Sequence, residues 1–456
     1  MSISVVGLGK LGSPLAAVFA SKGFSVIGTD LNESYVTALA DGRAPVDEPR
    51  LQELITAHRA RLRATPDCAE AVLASDVTFV IVPTPSDENG RFSNEFVLNA
   101  MRTIGDALRR KDGYHVVVVT STVMPGSMDG EIRPALERYS GRAVGEHLGL
   151  CYNPEFIALG SVVRDMLRPD MILIGESDAK AGETLERIYA RSCDSQPAIR
   201  RMNFVNAELT KISVNTFVTT KISYANMLAD ICGRIPGADV DTVTQAIGAD
   251  SRIGTKYLRG AIGYGGPCFP RDNVAFAALA RSLGARADLA EATDAINRYQ
   301  VERVLRAIQA RLTDNGAVAV LGLSYKPDTA VVEQSQGVAL AERLLELGHR
   351  VVAYDPKAIA SAQAALLQPF EAAASAEACV RDASVVVIMT AWEEFRSVPV
   401  DAYIRPSGRM TVLDCWRMVP AEVAAVADVI HLGEGAALGA SVVAGGTVHT
   451  PWTSTI

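Results

Sequence analysis

The most constraining pattern in the chain lies at its amino terminus. A short β-branched strand, residues 3–6, runs directly into Gly7-Leu8-Gly9-Lys10-Leu11-Gly12, and a helix of small residues and a second strand follow. Glycines at this spacing permit a tight turn and let a pyrophosphate approach the amino end of the helix. The second strand ends at Asp30, where a carboxylate can bind ribose hydroxyls and repel a 2′-phosphate. The pattern predicts a Rossmann-type unit that binds NAD through Gly7, Leu8, Gly9, Lys10, Leu11, Gly12 and Asp30.

Three later strands end in polar loops. The apolar strand 77–82 leads into Pro83 and Thr84, and the strand 116–119 leads into Ser121 and Thr122. Ligands of parallel sheets bind beyond the carboxyl ends of the strands, so these loops are candidates for cofactor contact, although a serine or threonine there can also be a simple turn residue. The third strand end carries Glu155, a candidate acid or base, or else a cap. We expect cofactor contacts from Val82, Pro83, Thr84, Ser121 and Thr122.

The middle of the chain predicts one long helix, from Asn203 to about Ile231, because apolar residues recur every three to five positions. At 1.5 Å per residue such a helix is roughly 40 Å long, enough to bridge two domains. Lys211 and Asn215 lie four residues apart and therefore share a face. In apolar surroundings the lysine could stabilise a thiolate or an oxyanion, whereas on a solvated face it would be only a surface charge.

A single segment then joins two glycines, two prolines, a thiol, a guanidinium and a carboxylate: Tyr264-Gly265-Gly266-Pro267-Cys268-Phe269-Pro270-Arg271-Asp272. The glycines permit close approach of the backbone to a ligand, and the prolines fix φ on both sides of the thiol. On so rigid a loop Cys268 is a candidate nucleophile if a neighbouring group stabilises its thiolate. Otherwise it is a small buried hydrophobe, as most free cysteines are.

The last third repeats the order strand, helix, strand ending in an acid (Asp355), without the full glycine pattern. Lys326, at a strand end, is a candidate phosphate contact. The predicted fold class is α/β, with two Rossmann-like doubly wound parallel-sheet domains joined by a long central helix. The expected boundaries are residues 1–200, 201–300 and 301–456.

Composition narrows the class of protein. The net charge of −8 argues against a nucleic-acid-binding or acidic-membrane surface. The seven cysteines are odd in number and scattered without a C-x-x-C pair, which favours reduced thiols and neither disulfides nor a metal site. No apolar run reaches about 18 residues, and the amino terminus lacks a signal-like basic segment. We therefore expect a soluble, cytoplasmic protein.

Several motifs together resemble the UDP-glucose/GDP-mannose dehydrogenase family over about residues 1 to 420. The most specific are Asn153-Pro154-Glu155-Phe156, Ala207-Glu208-Leu209-Thr210-Lys211, Arg252-Ile253-Gly254, the segment 265–272, and Tyr325-Lys326-Pro327-Asp328-Thr329. The resemblance implies a four-electron oxidation of a nucleotide sugar at C6, from alcohol to carboxylate, with two NAD⁺.

The resemblance also implies roles for individual residues. Cys268 would attack the intermediate aldehyde, and the resulting thiohemiacetal would be oxidised to a thioester that water hydrolyses. Asp272 and Thr122 would order a water that takes the first proton, Lys211 and Asn215 would hold the oxygen on which charge develops, Glu155 would be the base for hydrolysis, and Arg271 would contact the cofactor. Substrate contacts are implied for Glu155, Phe156, Lys211, Asn215, Arg252, Tyr257, Leu258, Tyr264, Gly265, Cys268, Phe269 and Lys326.

Some positions depart from the family pattern. Leu159 replaces an acid, Glu333 an arginine and Tyr35 a basic residue, and all three are expected near the cofactor. Pro267 replaces a serine or histidine before the cysteine, which bears on the fit of the hexose. Arg417 is the candidate for the family's nucleotide-contacting arginine.

Other activities remain open at this stage. The Phe269-Pro270 pair favours UDP-glucose as the substrate, with TDP-glucose, GDP-mannose and UDP-N-acetylhexosamines as alternatives for the same chemistry. A β-hydroxyacid-type dehydrogenase would not explain Cys268 or the second Rossmann-like unit. A non-catalytic nucleotide-sugar-binding protein would not need Cys268, Lys211, Asn215 and Asp272 together. The apolar face of the long helix predicts a homodimer.

Overall fold

The first half of the computed structural model is an eight-stranded sheet. The structure describes residues 1–312 and 316–436. The strand order is β3-β2-β1-β4-β5-β6-β7-β8, and every pairing is parallel except that of β6 with β7. The strands are β1 (Ser2–Val6), β2 (Ser25–Thr29), β3 (Leu62–Ala64), β4 (Val77–Val80), β5 (His115–Val119), β6 (Leu148–Tyr152), β7 (Met171–Glu176) and β8 (Ala198–Met202).

Helices cover both faces of this sheet, which is why β4, β5 and β6 are fully buried and largely apolar. The strand order reverses between β1 and β4, the position at which open parallel sheets bind ligands. The helices are α1 (Gly12–Ser21), α2 (Glu33–Ala40), α3 (Leu51–Ala57), α4 (Cys68–Leu73), α5 (Glu95–Leu108), α6 (Arg133–Ser140), α7 (Val162–Leu167) and α8 (Ala179–Ser192).

The middle of the chain is helical: α9 (Phe204–Cys232), α10 (Val240–Gly248), α11 (Phe269–Ser282) and α12 (Asp288–Gln309). The prediction of one long helix is confirmed. Asn203 caps α9 by accepting from the backbone N–H of Asn206, and the helix runs for 29 residues. The expectation of a loop up to Asp272 was wrong in its second half, because α11 already begins at Phe269. Pro270 favours this early start, since the first turn of a helix needs no backbone donor there.

A second sheet follows, with order β11-β10-β9-β12-β13-β14 and parallel pairing throughout. It consists of β9 (Val318–Leu321), β10 (Val351–Tyr354), β11 (Glu371–Ala372), β12 (Val385–Ile388), β13 (Met410–Asp414) and β14 (Ala427–His431), with helices α13 (Gln336–Glu346), α14 (Ile359–Ala365) and α15 (Ala376–Arg381). The predicted fold class, two parallel-sheet α/β units with a long helix between them, is confirmed.

The two sheets differ at the acid that ends their second strand. Asp30 is half-buried, whereas Asp355 is only 2% exposed. The Asp355 carboxylate accepts from the backbone N–H groups of Leu323 and Ser324 and from Trp392 Nε1, at 2.8 to 3.1 Å. The second sheet therefore does not present its acid to a ribose as the first sheet can. Within the described ranges no helix has the length and apolarity that crossing a membrane requires.

Candidate active site between the two sheets

The glycine turn at the end of β1 has the geometry of a dinucleotide cradle. Gly7 has φ +99°, and a Cβ there would lie 2.1 Å from the Ile81 carbonyl oxygen, so only glycine fits. A Cβ on Gly12 would strike the Gly7 carbonyl, whereas the space above Gly9 is open. Asp30 accepts from the backbone N–H of Leu8 at 2.5 Å. The residues of this turn fit a bound dinucleotide.

The other residues of the turn divide by position. Leu8 is fully buried and contributes its backbone, while Leu11 stands at the N-cap of α1. Lys10 is exposed and lines a cavity of about 420 Å³ between the two sheets. Tyr35, Leu159 and Glu333 line the same cavity, so the three departures expected near the cofactor meet there.

The loops after β4 and β5 are joined by hydroxyl groups. Ser121 Oγ hydrogen-bonds the backbone N and O of Val82 at 2.9 and 2.7 Å. Thr84 Oγ1 donates to the Thr122 carbonyl at 2.7 Å. Pro83 lies between these two attachments and is exposed. The structure thus brings the predicted cofactor loops together at one sheet edge.

Arg271 connects these loops to the middle of the chain. Its Nη1 donates to the Thr84 carbonyl at 3.0 Å, and its guanidinium carbon lies 4.5 Å from the centre of the Phe92 ring. Its Nε lies 3.6 Å from Asp272 Oδ1. Arg271 was expected to contact the cofactor, and in the structure its contacts fix the β4 loop to α11.

Lys211, Asn215 and Asp272 form a buried polar cluster where α9 meets α11. Their exposed fractions are 6%, 7% and 1%. Asn215 Nδ2 donates to Asp272 Oδ2 at 2.6 Å, while Asp272 Oδ1 has no hydrogen-bond partner among the described residues and only the Arg271 Nε at 3.6 Å as an ionic neighbour. A buried carboxylate oxygen with a free acceptor position is suited to hold a water or a substrate hydroxyl.

Cys268 stands at the N-cap of α11, and its side chain reaches solvent. Enclosure by surrounding protein atoms raises the pKa of its thiol and the Asp272 carboxylate raises it further, while Lys211 and Arg271 act in the opposite direction. Cys268 is therefore a solvent-exposed residue, and two cations act on its partly enclosed thiol. The structure does not support the view of Cys268 as a buried hydrophobe.

Glu155 and Phe156 surround the lysine from the other side. Lys211 Nζ donates to the Glu155 carbonyl at 2.7 Å and lies 4.7 Å from the centre of the Phe156 ring. The Glu155 carboxyl faces Tyr189, whose hydroxyl lies 3.4 Å away, and a small cavity lined by Leu15 and Phe19. Burial raises the pKa of Glu155 to about 7, against the opposing effects of Lys211 and Tyr189. In this conformation its carboxyl is turned into the first α/β unit.

The predicted substrate residues near the thiol form an aromatic group. Phe269 meets Tyr257 and Tyr264 edge to face, with ring centres 6.2 and 6.3 Å apart. Leu258 and Gly265 are buried beside them. A Cβ on Gly265 would lie 2.3 Å from the Gln334 carbonyl oxygen, so the second α/β unit packs directly on this segment.

Two asparagines that the sequence analysis did not identify hold the segment in place. Asn297 accepts from Tyr264 N at 2.7 Å and donates to Tyr264 O at 3.0 Å. Asn226 makes the same pair of bonds to Ala261 N and Ile262 O, both at 2.9 Å. We call residues 260–268 the cysteine loop. In the sequence the only sign of this role is an asparagine within each helix, and the partner of such an asparagine cannot be identified from one sequence.

Three of the predicted residues lie in other surroundings. Lys326 is near Asp165 and Glu48 of the first α/β unit, and burial lowers its pKa. Arg252 is 86% exposed and pairs with Asp250 at 2.5 Å. Arg417, the candidate nucleotide contact, is instead held by Asp239, Asp241 and Glu434. Nothing in the structure explains why a proline stands at position 267.

With a dinucleotide turn in the first α/β unit and a cavity between that turn and a second α/β unit, the molecule has the architecture of an NAD-dependent oxidoreductase. Three models of the UDP-glucose/GDP-mannose dehydrogenase family match the chain: the NAD binding domain over residues 1–193, the central domain over 205–299 and the UDP binding domain over 319–421. The chain belongs to this family of NAD-dependent nucleotide-sugar dehydrogenases.

Individual relatives cover almost the whole chain. It is 38% identical to UDP-glucose 6-dehydrogenase AglM of Haloferax volcanii, over 87% of this chain and 93% of that protein. It is 33% identical to GDP-mannose 6-dehydrogenase of Pseudomonas putida, over 90% and 95%. A solved UDP-glucose dehydrogenase from Pyrobaculum islandicum superposes with a TM-score of 0.86 at 34% identity, covering 95% of this chain and 98% of that one.

Proposed function

We propose that the protein oxidises UDP-glucose at C6 to UDP-glucuronate, in two steps that form two NADH and pass through a thioester on Cys268. The observation that carries this proposal is the position of a solvent-exposed cysteine at the start of α11, close enough to Lys211 and Asp272 for both charges to act on its thiol. A two-electron alcohol dehydrogenase needs no cysteine. Relatives named UDP-glucose 6-dehydrogenase support the choice of sugar.

The residues have distinct tasks in this proposal. The Gly7–Gly12 turn and Asp30 would hold NAD⁺, which would supply the hydride acceptor for each oxidation at C6. Asp272, through the oxygen that has no hydrogen-bond partner among the described residues and an ordered water near Thr122, would accept the hydroxyl proton of the alcohol. The Cys268 thiolate would then add to the aldehyde carbon, forming the C–S bond. Lys211 and Asn215 would hold the oxygen that becomes negative.

The second oxidation converts the thiohemiacetal to a thioester with loss of a second hydride and a proton. Water then breaks the C–S bond, releasing the carboxylate and the Cys268 thiol. Glu155 is the proposed base for this water, a role that requires its carboxyl to leave Tyr189.

The test is an NADH assay with UDP-, TDP- and GDP-hexoses. We expect two NADH per UDP-glucose consumed, no complete turnover by Cys268→Ala, and either no turnover or a trapped adduct with Cys268→Ser. Full conversion to the acid by Cys268→Ala would contradict the covalent mechanism. A preference for GDP-mannose would move the chain to the other named branch of its family.

We also propose that the protein is a homodimer formed through α9. Phe217, Tyr224 and Ile231 are exposed and lie seven residues apart, with Met227 between them, so they form one apolar stripe. A second copy can cover this stripe by a symmetric contact. Light scattering should give twice the chain mass, and Phe217→Glu with Tyr224→Glu should give the monomer. A monomeric wild-type protein would contradict this proposal.

A further inference from the structure

Glu208 is a fully buried acid on α9 to which the chemistry above gives no role. Its Oε2 accepts from the backbone N–H of Gly126, and its Oε1 accepts from that of Met128, both at 2.7 Å. The π-helical turn Met128–Ile132, which continues into α6, begins here without a side-chain cap of its own. Glu208 therefore supplies, from another helix, the acceptors that this helix start lacks.

Glu208 shares a helix face with the catalytic candidates. It lies three residues before Lys211 and seven before Asn215, so the three side chains form one polar stripe along α9. All three are buried. Moving the helix therefore moves all three together.

The loop that Glu208 binds also carries Thr122. At its other end this loop is fixed by Ser121 to Val82 and by Thr84 to the Thr122 carbonyl. Between the two ends, Met124 packs with residues 92, 212 and 275 in one apolar cluster. Residues 122–125 are thus held between the first sheet and α9.

A buried carboxylate is costly unless its oxygens are satisfied, and here backbone donors satisfy both. Such a group contributes to the exact position of the loop more than to stability, because a well-packed apolar residue could fill the same volume. The loop position decides how far Thr122 lies from the oxygen-binding groups Lys211 and Asn215.

We propose that Glu208 is a positioning residue that fixes the Thr122 loop relative to Lys211 and Asn215. The inference rests on the proposed function, because the roles of those three residues do. Displacement of a reacting group by about 1 Å can cost about 100-fold in rate, so the two hydrogen bonds from the loop to Glu208 would control kcat. Binding of the nucleotide, which involves the second α/β unit, would not depend on it.

The test compares Glu208→Gln with Asp178→Ala. Asp178 is the control: it caps α8 by accepting from the Ala181 N–H at 3.1 Å. It lies beside Tyr114, which precedes the amino end of β5, whereas Thr122 follows the carboxyl end of the same strand. Glu208→Gln keeps the volume but can accept from only one of the two N–H groups. We expect the kcat of Glu208→Gln to fall about 10- to 100-fold below that of the wild type. The KM for the nucleotide sugar and the rate of Cys268 alkylation by iodoacetamide should stay within about twofold.

Deuterium uptake by residues 120–128 should rise in Glu208→Gln and not in Asp178→Ala, and this measurement needs no substrate. Wild-type kcat with unchanged uptake would overturn the proposal. Parallel changes in KM and alkylation would also overturn it, since they would indicate general loosening. If Glu208→Gln does not fold, Thr84→Val loosens the other end of the loop and must give the same kcat-specific loss. A wild-type enzyme that forms no NADH would instead refute the proposed function.

Discussion

Replacing Glu155 by glutamine should make the protein more stable than the wild type at high pH, by a margin that grows as the pH rises. The Glu155 carboxyl is enclosed with Tyr189 and the apolar side of α1, and burial raises its pKa to about 7 from an ordinary value of 4.5. The folded state therefore holds a proton that the unfolded state releases. Stability is fully present below about pH 4.5 and falls as the pH rises through the folded-state value, by about 3 kcal/mol in total.

Glu155→Gln removes this dependence because the amide does not ionise. The difference in stability between the variant and the wild type should therefore grow by about 3 kcal/mol between pH 4.5 and pH 8.5. Any constant cost of burying the amide cancels in this comparison. The same variant should hydrolyse the thioester more slowly if the carboxyl is the base, so stability and activity should change in opposite directions.

Hydrogen exchange of amides in β6, measured by mass spectrometry, is the suitable assay. The chain has two sheets, so a single unfolding transition cannot be assumed. The ratio of the β6 exchange rate in the wild type to that in the variant should be about 100-fold larger at pH 8.5 than near pH 4.5. Amides in β9 and β10 of the second sheet are the internal control and should not change. A wild-type-to-variant ratio independent of pH would refute the argument that burial controls this carboxyl.

Four further outcomes follow from the contacts. Asp272→Asn should lower the pH midpoint of Cys268 alkylation, because the neighbouring carboxylate raises the pKa of the thiol. Asn297→Leu should lower the thermal midpoint, since it leaves the backbone N–H of Tyr264 unpaired at about 1–3 kcal/mol and leaves the Tyr264 carbonyl with only the 3.3 Å bond from Gln336. Gly266→Ala should cost about 1–3 kcal/mol in backbone strain alone, because Gly266 has φ +86°. The new Cβ would also lie 2.6 Å from a ring carbon of Tyr325 in the second α/β unit, so the KM for the nucleotide sugar should rise. Burial lowers the pKa of His115 to about 3, so the folded state resists a proton that the unfolded state binds below about pH 6.5. Stability is therefore lost as the pH falls below about 6.5. His115→Gln removes this loss and should keep its circular dichroism to lower pH than the wild type.

Much of the fold follows from local pattern. The glycine turn with Asp30, the apolar strands and the periodicity of α9 each depend on residues close together in sequence, and each was predicted within a few residues. The start of α11 was predicted too late, because Pro270 was treated as part of a loop and not as the first turn of a helix.

The candidate site was predictable as a set of residues but not as an arrangement. Cys268, Lys211 and Asp272 could be singled out by residue type, spacing and resemblance. That Asn215 binds Asp272, that Arg271 holds the β4 loop, and that Glu155 turns towards Tyr189 depend on how α9 and α11 pack against the first sheet. These contacts join residues 34 to 187 positions apart, so no local pattern encodes them.

The sequence by itself therefore determined the class of fold, the cofactor turn and Cys268 as the candidate nucleophile, because backbone preference and side-chain chemistry are local properties. Only the tertiary structure decided the surroundings of each charge. Burial and neighbouring charges set whether Cys268, Glu155 and Glu208 hold their protons, and these depend on which distant segments enclose them.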